Sequence, residues 1–383
     1  MSSFTVKRVT LALSLFLTYT TLSYADDSDL HSESSDAPPK NLSTHSESLD
    51  SRVSSLESRM SAVKTQTAKG TVGAKMATAH PLIDGYGFFF TADALYWQVK
   101  EWGTQYVIKN KEPSTLPVEG KSKQAHFDWD LGFRVGGGYN FEHDEWDAQV
   151  YFTWFETDAD NRTHADKNGI LFPQIGLPEG SGKKAKIHWD VDYYVIDAEL
   201  GRNFFVSKFL AFRPFFGIET AWVNQEMRFN ERFAPGSNQT QTHLIVKSRN
   251  DFWGIGPRTG VDSTWYFGEH FSLFGNLSGA LLWGDFDVRD KEKTTGVGSI
   301  KLTNAEGDFH AIVPNVKTIL GLQWDTNFSE NEHHIGIKLG YEFQYLWKQN
   351  QMLNIYTPST AVYERESADL SINGITLDVR FDF

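Results

Sequence analysis

The chain has 383 residues, a formal net charge of −13, a mean hydropathy of −0.41 and no cysteine, although 14% of its residues are aromatic. The lack of cysteine excludes a disulfide framework, a thiolate metal site and a lipid attached to cysteine. The excess of acidic residues argues against nucleic acid as a partner, because phosphate binding needs a basic surface.

Residues 1–25 are predicted to be a cleaved signal peptide. Lys7 and Arg8 precede an apolar stretch from Val9 to Leu17, and a patch of small residues ends at Ala25. The apolar stretch is too short to span a bilayer. Removing the two basic residues takes the formal charge from −13 to −15. We therefore expect an exported protein.

Residues 26–48 are rich in Ser, Asp, Glu and His and predict a disordered spacer. Residues 49–69 predict a short periplasmic coiled-coil helix, because apolar residues recur there at alternating spacings of four and three. The seam consists of Leu49, Val53, Leu56, Met60 and Val63. This seam predicts a homo-oligomer, with a trimer favoured. The alternative is an unpaired amphipathic helix on the barrel or the membrane surface.

Residues 84–383 predict an all-β fold, a transmembrane antiparallel up-and-down β-barrel. Apolar and polar residues alternate in one segment after another, as from Phe127 to Phe141 and from Ile335 to Trp347. These segments run well past the five or six residues usual for a soluble sandwich strand, so the sandwich is disfavoured. Trp or Tyr recurs near their ends, as in membrane aromatic girdles.

The connections between these strands are predicted to alternate between short and long, as in outer-membrane barrels. The short ones are near 142–145, 206–208, 268–270 and 329–332, and the long polar ones are at roughly 101–125, 158–186, 225–250, 287–309 and 349–370. This pattern gives about ten strands. The segments Gly103 to Lys109 and His243 to Lys247 are interpreted as loop hairpins or strand extensions, and promoting them would give twelve.

The last nine residues alternate without a break and end on an aromatic residue. This strand resembles the sorting signal by which the barrel assembly machinery recognises outer-membrane barrels. Its predicted signal residues are Val379, Phe381 and Phe383. Together with the signal peptide, it predicts location in the bacterial outer membrane, with the N-terminal stalk in the periplasm.

Three sequence segments resemble those of a known family. They are the barrel opening from Gly87 to Trp97, the glycine-rich strand from Gly132 to Tyr139, and the segment from Asp192 to Arg202. With the leader and the heptad helix, they resemble the Legionella-type pore-forming outer-membrane proteins, which have porin-like members in chlamydia-related bacteria. The likeness spans roughly residues 80–383. It implies a porin-like pore and supplies no active-site residues.

The charged residues that alternate with the apolar ones are predicted to line the lumen. By parity these residues are Asp128, Asp130, Arg134, Asp147, Asp197, Glu199, Arg202, Arg213, Glu219, Arg258, Asp262, Lys317, Lys338 and Glu342. Such a lining would filter solutes by charge and size, with a mild preference for cations. The alternative is that these charges pair across a narrow lumen and plug it, because small barrels fill with side chains.

Two repeated sequence motifs contain residue types that metal sites and protease sites use. His126, Asp128 and Asp130 share one strand face, and His188, Asp190 and Asp192 share another. A divalent-cation site or an omptin-like protease site could use such residues. However, three ligands on one strand lie too far apart for one ion, and no converging acidic pair is visible. No catalytic residue, metal site or cofactor is predicted.

The predicted function is therefore non-enzymatic: an outer-membrane pore for passive diffusion of ions and small hydrophilic solutes. The predicted partners are outer-membrane lipids, those solutes, the barrel assembly machinery and further copies of the chain. The alternative is a barrel that mainly anchors adhesive or antigenic surface loops, with a barrel protease as a distant third.

Overall fold

A computed structural model describes residues 87–112, 118–141, 145–176, 182–207, 209–233, 241–267, 270–328, 333–357, 362–365 and 367–383. The predicted signal peptide, spacer and coiled-coil helix lie outside these residues, so the trimer stays a prediction. Within the described part of the chain, no helix has the length and apolarity needed to cross a membrane.

The described residues form sixteen β-strands. Their bounds are β1 Gly87–Glu101, β2 Gln105–Asn110, β3 Gly120–Gln124, β4 Trp129–Asn140, β5 Trp146–His164, β6 Ile170–Pro173, β7 Gly182–Arg202, β8 Phe204–Ser207, β9 Leu210–Phe233, β10 Gln241–Tyr266, β11 Phe271–Gly296, β12 Ser299–Phe328, β13 His333–Asn350, β14 Leu353–Thr357, β15 Val362–Arg365 and β16 Ala368–Asp382.

Ten of these strands close into a barrel, which confirms the predicted fold and strand number. Around the barrel they follow the order β1, β4, β5, β7, β9, β10, β11, β12, β13 and β16, and β16 pairs again with β1. Every neighbouring pair is antiparallel. The short connections lie at the end that holds Gly87 and Phe383, which we call the near end; the opposite end is the far end.

The outer face of the near half is an apolar belt, as hydrocarbon requires of a barrel wall. Each strand points its apolar residues outward there, so that Leu277, Leu320 and Leu339 are more than half exposed when the chain is considered alone. Val379, Phe381 and Phe383 lie on this outward face at the near end. They carry the predicted sorting signal, which stays a prediction.

A row of aromatic residues bounds the belt on its far side. Trp154, Tyr194, Trp222 and Trp253 are direct neighbours on β5, β7, β9 and β10. We call this the far aromatic row. Beyond it the outward residues become charged, as expected where a wall leaves the membrane and enters water.

The barrel wall extends well past the far aromatic row, because β9, β10, β11 and β12 are 24, 26, 26 and 30 residues long. The connections predicted at 225–250 and 287–309 are therefore wrong as loops over most of their length. Their outward residues face water and are polar, whereas inward residues such as Met227, Phe229 and Val246 are buried. The charged outward residues gave these segments a polar composition. His243 to Lys247 proves to be a strand extension within β10.

The interior of this extension is dry, so the predicted lining of charged residues occupies only part of the length of the lumen. Trp189, Phe252, Phe286 and Leu244 are 1%, 1%, 0% and 0% exposed within one contiguous apolar cluster. An inward apolar position is stable here only because other apolar side chains fill the space across the barrel.

Part of that filling comes from β2, β3 and β6, which we call the cap. Strand β2 pairs with β3 and β6, and β6 touches the barrel wall where Leu171 pairs with Gly182. Tyr106 of the cap contacts Phe229 of the wall, with ring centroids 6.1 Å apart. The segment predicted from Gly103 to Lys109 is thus largely a cap strand, and the described barrel is closed by it at the far end.

Candidate functional site: a charged lumen under an apolar cap

The lumen at the level of the apolar belt is lined by charged side chains from nine of the ten barrel strands. Side chains alternate between the two faces of a β-strand, so these residues point inward while their sequence neighbours point outward. Of the predicted lining residues, the structure turns these inward: Asp130, Arg134, Asp147, Asp197, Glu199, Arg213, Glu219, Arg258, Asp262, Lys317, Lys338 and Glu342.

Arg213 is one centre of the main network. Its Nε lies 2.7 Å from Asp147 Oδ2, and its Nη1 lies 2.9 Å from Glu199 Oε1 and 2.8 Å from Asp262 Oδ2. One guanidinium from β9 thus joins carboxylates of β5, β7 and β10. Such bidentate, charge-assisted contacts are strong in a site shielded from water.

Lys317 and Arg258 extend the same network across the barrel. Lys317 Nζ lies 2.9 Å from Glu219 Oε2 and 3.2 Å from Asp197 Oδ2, and Arg258 Nη1 lies 2.7 Å from Glu199 Oε2. Five carboxylates share three bases in this network, so its formal charge is negative.

A second cluster centres on Arg134. Its Nη1 lies 3.0 Å from Asp93 Oδ2, and its Nη2 lies 2.7 Å from Glu342 Oε1. These two acids sit on β1 and β13, and they again outnumber the base. Both groups of acids favour cations over anions inside the lumen.

A cavity of ≈190 Å³ lies among these side chains and reaches the near end. It is also lined by charged residues that the sequence analysis left out of the lining: Asp93, Asp325, His334, Asp378 and Arg380. Asp382 lies beside them and accepts hydrogen bonds from Arg380, with Nη2 to Oδ1 at 2.6 Å. The alternation of the terminal strand would have found Asp378, Arg380 and Asp382, because they are its inward half.

Two predicted lining residues are corrected by the structure. Arg202 breaks the parity of Asp197 and Glu199, and its guanidinium carbon lies 4.9 Å from the ring centre of Phe204, which is exposed. Asp128 precedes β4 and is exposed rather than turned inward. The prediction fails for Asp128 because the residue lies before its strand begins, and for Arg202 because alternation from Asp197 and Glu199 puts it on the outer face.

Lys338 and Asp130 are only partly enclosed. Lys338 Nζ lies 3.8 Å from Asp378 Oδ1 on the neighbouring strand. Asp130 accepts a hydrogen bond from the hydroxyl of Thr157. These residues line the lumen wall without joining the central network.

The charged layer is tied to the apolar layer above it by hydrogen bonds that cross the barrel. Tyr193 Oη donates to Gln344 Oε1 at 2.7 Å, and Gln344 Nε2 donates to Glu342 Oε1 at 2.7 Å. Strands β7 and β13 lie on opposite sides of the closed sheet. A direct bond between them shows that the described lumen is filled at this level.

The cap meets the wall at a buried acid. Glu231 of β9 is 0% exposed, and neither carboxylate oxygen has a hydrogen-bond partner among the described residues. A Cβ at Gly182 would lie 2.7 Å from Glu231 Cδ and 3.0 Å from Leu171 Cβ, so only glycine permits this approach. Burial raises the pKa of Glu231 to about 8.

This pKa predicts that the cap loosens as the pH rises. The neutral carboxyl stabilises the closed state fully below its ordinary pKa of 4.5, and that contribution is lost as the pH passes through about 8. We expect tryptic cleavage at the cap lysines Lys121 and Lys123 to be faster in the wild type than in Glu231→Gln at pH 8.5, and this difference to be much smaller at pH 5.5. Equal rates at both pH values would contradict the prediction. Glu226→Gln, an exposed change on the same strand, is the control.

The two sequence motifs that contain His126 and His188 lie apart from the lumen network. His188 Nε2 is 3.1 Å from Asp190 Oδ1 and its Nδ1 is 3.6 Å from Asp160 Oδ1, on the outer wall beyond the far aromatic row. The backbone amide of His126 donates to Asn161 Oδ1 at 2.7 Å. Within the described ranges, no group of three His, Asp or Glu side chains could hold a metal ion.

Comparison with known proteins gives one family and several barrels. Residues 85–383 match the family model described as "Legionella pneumophila major outer membrane protein precursor". No curated protein matches the chain.

The solved structures similar to the chain include the outer membrane protease OmpT of Escherichia coli, with 9% identity, a TM-score of 0.36 and coverage of 80% of this chain and 100% of that chain. A FadL homologue of Pseudomonas aeruginosa has 9% identity, a TM-score of 0.28 and coverage of 83% and 93%. The outer membrane protein OprG of the same organism has 11% identity, a TM-score of 0.24 and coverage of 79% and 99%.

Proposed function

Because the chain belongs to the Legionella major outer membrane protein family, we propose that it is a pore-forming protein of the bacterial outer membrane. In this proposal it allows passive diffusion of ions and small hydrophilic solutes, and no residue performs bond chemistry. The near end faces the periplasm, as the short connections of outer-membrane barrels do, and the cap faces the outside.

The observation that carries the proposal is the charged layer inside the belt. Taking an ion pair out of water has a large desolvation penalty, and well-packed apolar residues are often at least as stable in its place. A barrel that served only as an anchor has no need of Arg134, Arg213, Arg258 and Lys317 in its lumen. Lined charges are what a pore uses to select ions.

The cap makes this a gated pore in our proposal. Tyr106, Val107 and Leu171 are 2%, 0% and 0% exposed, and each such burial stabilises the closed state by about 1.5–3 kcal/mol. Apolar constrictions block ions because water leaves them. The closed conformation should therefore dominate, and conduction should occur in brief openings when the cap moves.

The test is planar-bilayer recording of the purified protein together with liposome swelling in sugars of graded size. We expect brief unitary steps, cation-selective reversal potentials and a sharp size limit. Absence of steps both in the wild type and in a variant without the cap strands would overturn the proposal. It would leave the second candidate, a closed barrel that anchors surface segments, which the cross-lumen bond from Tyr193 to Gln344 favours.

Charge selection can be tested at Lys317. Replacing Lys317 by Gln leaves Asp197 and Glu219 with one base fewer, so the lumen becomes more negative. We expect the reversal potential in a KCl gradient to move toward the potassium equilibrium value. Lys293→Gln, the same change of charge on the exposed outer wall, should leave it unchanged. Equal shifts in the two variants would show that wall charge, not the lumen, sets selectivity.

A further inference from the structure

A band of basic residues crosses the outer wall of the extension, beyond the far aromatic row. His188, Arg228, Lys247 and Lys291 are direct neighbours in register on β7, β9, β10 and β11. We call them the cationic row. Like charges placed directly opposite on neighbouring strands destabilise a sheet, so this arrangement needs a reason.

Nearby acids bind two of the four residues of this row: Arg228 lies 2.6 Å from Glu226, and His188 Nε2 lies 3.1 Å from Asp190 Oδ1. Between it and the far aromatic row lies a line of outward residues in register, of which five are acids on β5, β7, β10, β11 and β12: Glu156, Asp192, Asp251, Asp287 and Asp308. Arg249 and Arg289 bind Asp251 and Asp287, with N to O distances of 2.7 and 2.6 Å. These arginines are occupied by the acids below them.

The lysines have no such partner. Lys247 and Lys291 are exposed and form no ion pair with any described residue. Lys293 lies on the same face, two positions further along β11. These lysines therefore carry uncompensated positive charge on the outer wall.

The surface beside the row is concave. A depression of ≈320 Å³ is lined by Asp160, Lys186, His188, Arg228, Phe229, Asn230, Ile245 and Lys247. Asp160 lies 3.0 Å from Lys186 Nζ, and the ammonium of Lys247, the guanidinium of Arg228 and the amide of Asn230 are the other donors around Ile245. This donor set suits a phosphate carried on a sugar, since Arg and Lys bind phosphate oxygens while an aliphatic floor contacts the ring.

The height of the row identifies the source of such phosphates. Lys247 lies six residues beyond Trp253 on β10, which is about 20 Å along a strand and about 15 Å above the belt after the usual barrel tilt. The five acids of this line outnumber Arg249 and Arg289, so the line would repel phosphates at the headgroup level. Phosphates at the height of the cationic row belong to the sugar chain of a membrane glycolipid.

We propose that the cationic row and its depression bind the phosphorylated core sugars of an outer-leaflet glycolipid. The glycolipid's acyl chains lie against the apolar belt, and its core phosphates reach Arg228, Lys247 and Lys291. The wall of the extension is thereby covered by lipid sugars on the side of β7 to β11.

The test measures binding of three probes to the folded protein in detergent by native mass spectrometry and fluorescence competition. The probes are purified rough lipopolysaccharide with a phosphorylated core, lipid A alone, and inorganic phosphate. We expect Lys247→Gln/Lys291→Gln to bind rough lipopolysaccharide on the order of thirtyfold more weakly than the wild type. Lys247→Arg/Lys291→Arg should keep the binding, which shows that a loss is not a folding defect.

The matched control is Lys121→Gln/Lys123→Gln, which removes the same charge from exposed side chains of the cap strand β3. The proposal is overturned if the control weakens binding equally, if lipid A alone binds as tightly as rough lipopolysaccharide, or if inorganic phosphate competes at similar concentration. Equal weakening in the control would mean a general effect of charge. Equal binding of lipid A would mean that only the apolar belt binds the lipid. Competition by inorganic phosphate would mean an anion site that does not recognise a glycolipid.

Discussion

Replacing residues 105–124, which hold β2 and β3, with a short Gly-Ser linker is expected to raise the mean current through the barrel by on the order of tenfold or more. The linker removes Tyr106 and Val107, which are almost fully buried in the far half of the lumen. It also removes the hydrogen bond between Tyr106 Oη and Thr163 Oγ1, 2.6 Å long. Water can then enter the space that the cap fills. The measurement is single-channel recording, with sugar uptake into liposomes as a second readout.

A double point variant tests the same role of the cap in case the deletion variant does not fold. Tyr106→Ser/Val107→Ser places hydroxyl groups in the apolar layer and should lengthen the open periods. Lys121→Ser/Lys123→Ser changes two exposed residues of the same cap and should not. If neither the deletion nor the buried pair alters the current, the cap does not control the lumen.

Replacing Arg213 by Leu is expected to lower the free energy of unfolding by about 3–5 kcal/mol, because one partner of a buried charge network is removed and the others stay buried. The change leaves Asp147, Glu199 and Asp262 without their shared guanidinium. Chemical denaturation in detergent, followed by tryptophan fluorescence and by the shift of the folded band on gels, measures it. Arg213→Lys should recover part of the loss, because a single ammonium cannot reach three carboxylates with the same geometry.

The control is Arg228→Leu on the outer wall. The Arg228 side chain is 50% exposed and pairs with Glu226 at 2.6 Å, and exposed pairs contribute about 0–1 kcal/mol. Equal destabilisation by the two leucine variants would mean that the lumen network does not hold the barrel strands together. The same Arg213→Leu variant should also be more cation-selective if it still inserts into bilayers.

The lumen and one patch of the outer wall carry excess charge of opposite sign. Inside the belt, acids outnumber bases and share them, as around Arg213 and Arg134. Outside, the unpaired lysines Lys247 and Lys291 face the region where anionic lipid sugars would stand. A pore with a negative lumen and a locally positive rim would separate solute selection from attachment to its lipid surroundings.

The closed barrel, its ten strands and its apolar belt could be predicted from the amino-acid sequence alone. Alternation with period two is a local property, so a single strand such as Ile375 to Phe383 already tells which residues face lipid. It also assigned most of the lumen charges, including Arg213, Lys317 and Glu342. It failed for Asp128, because alternation says nothing before a strand begins, whereas Arg202 was assigned against the alternation, on the face opposite to that of Asp197 and Glu199.

Which inward side chains meet depends on how the sheet closes, and alternation within single strands does not contain that information. Arg134 and Glu342 are 208 residues apart in sequence, and closure of the sheet and the stagger of its strands set their contact. The same holds for the dry far half. An inward Phe or Val is compatible with a wet or a dry interior, and Tyr106, Val107 and Leu171 make it dry by folding back into the barrel from connections that the sequence presented as polar loops.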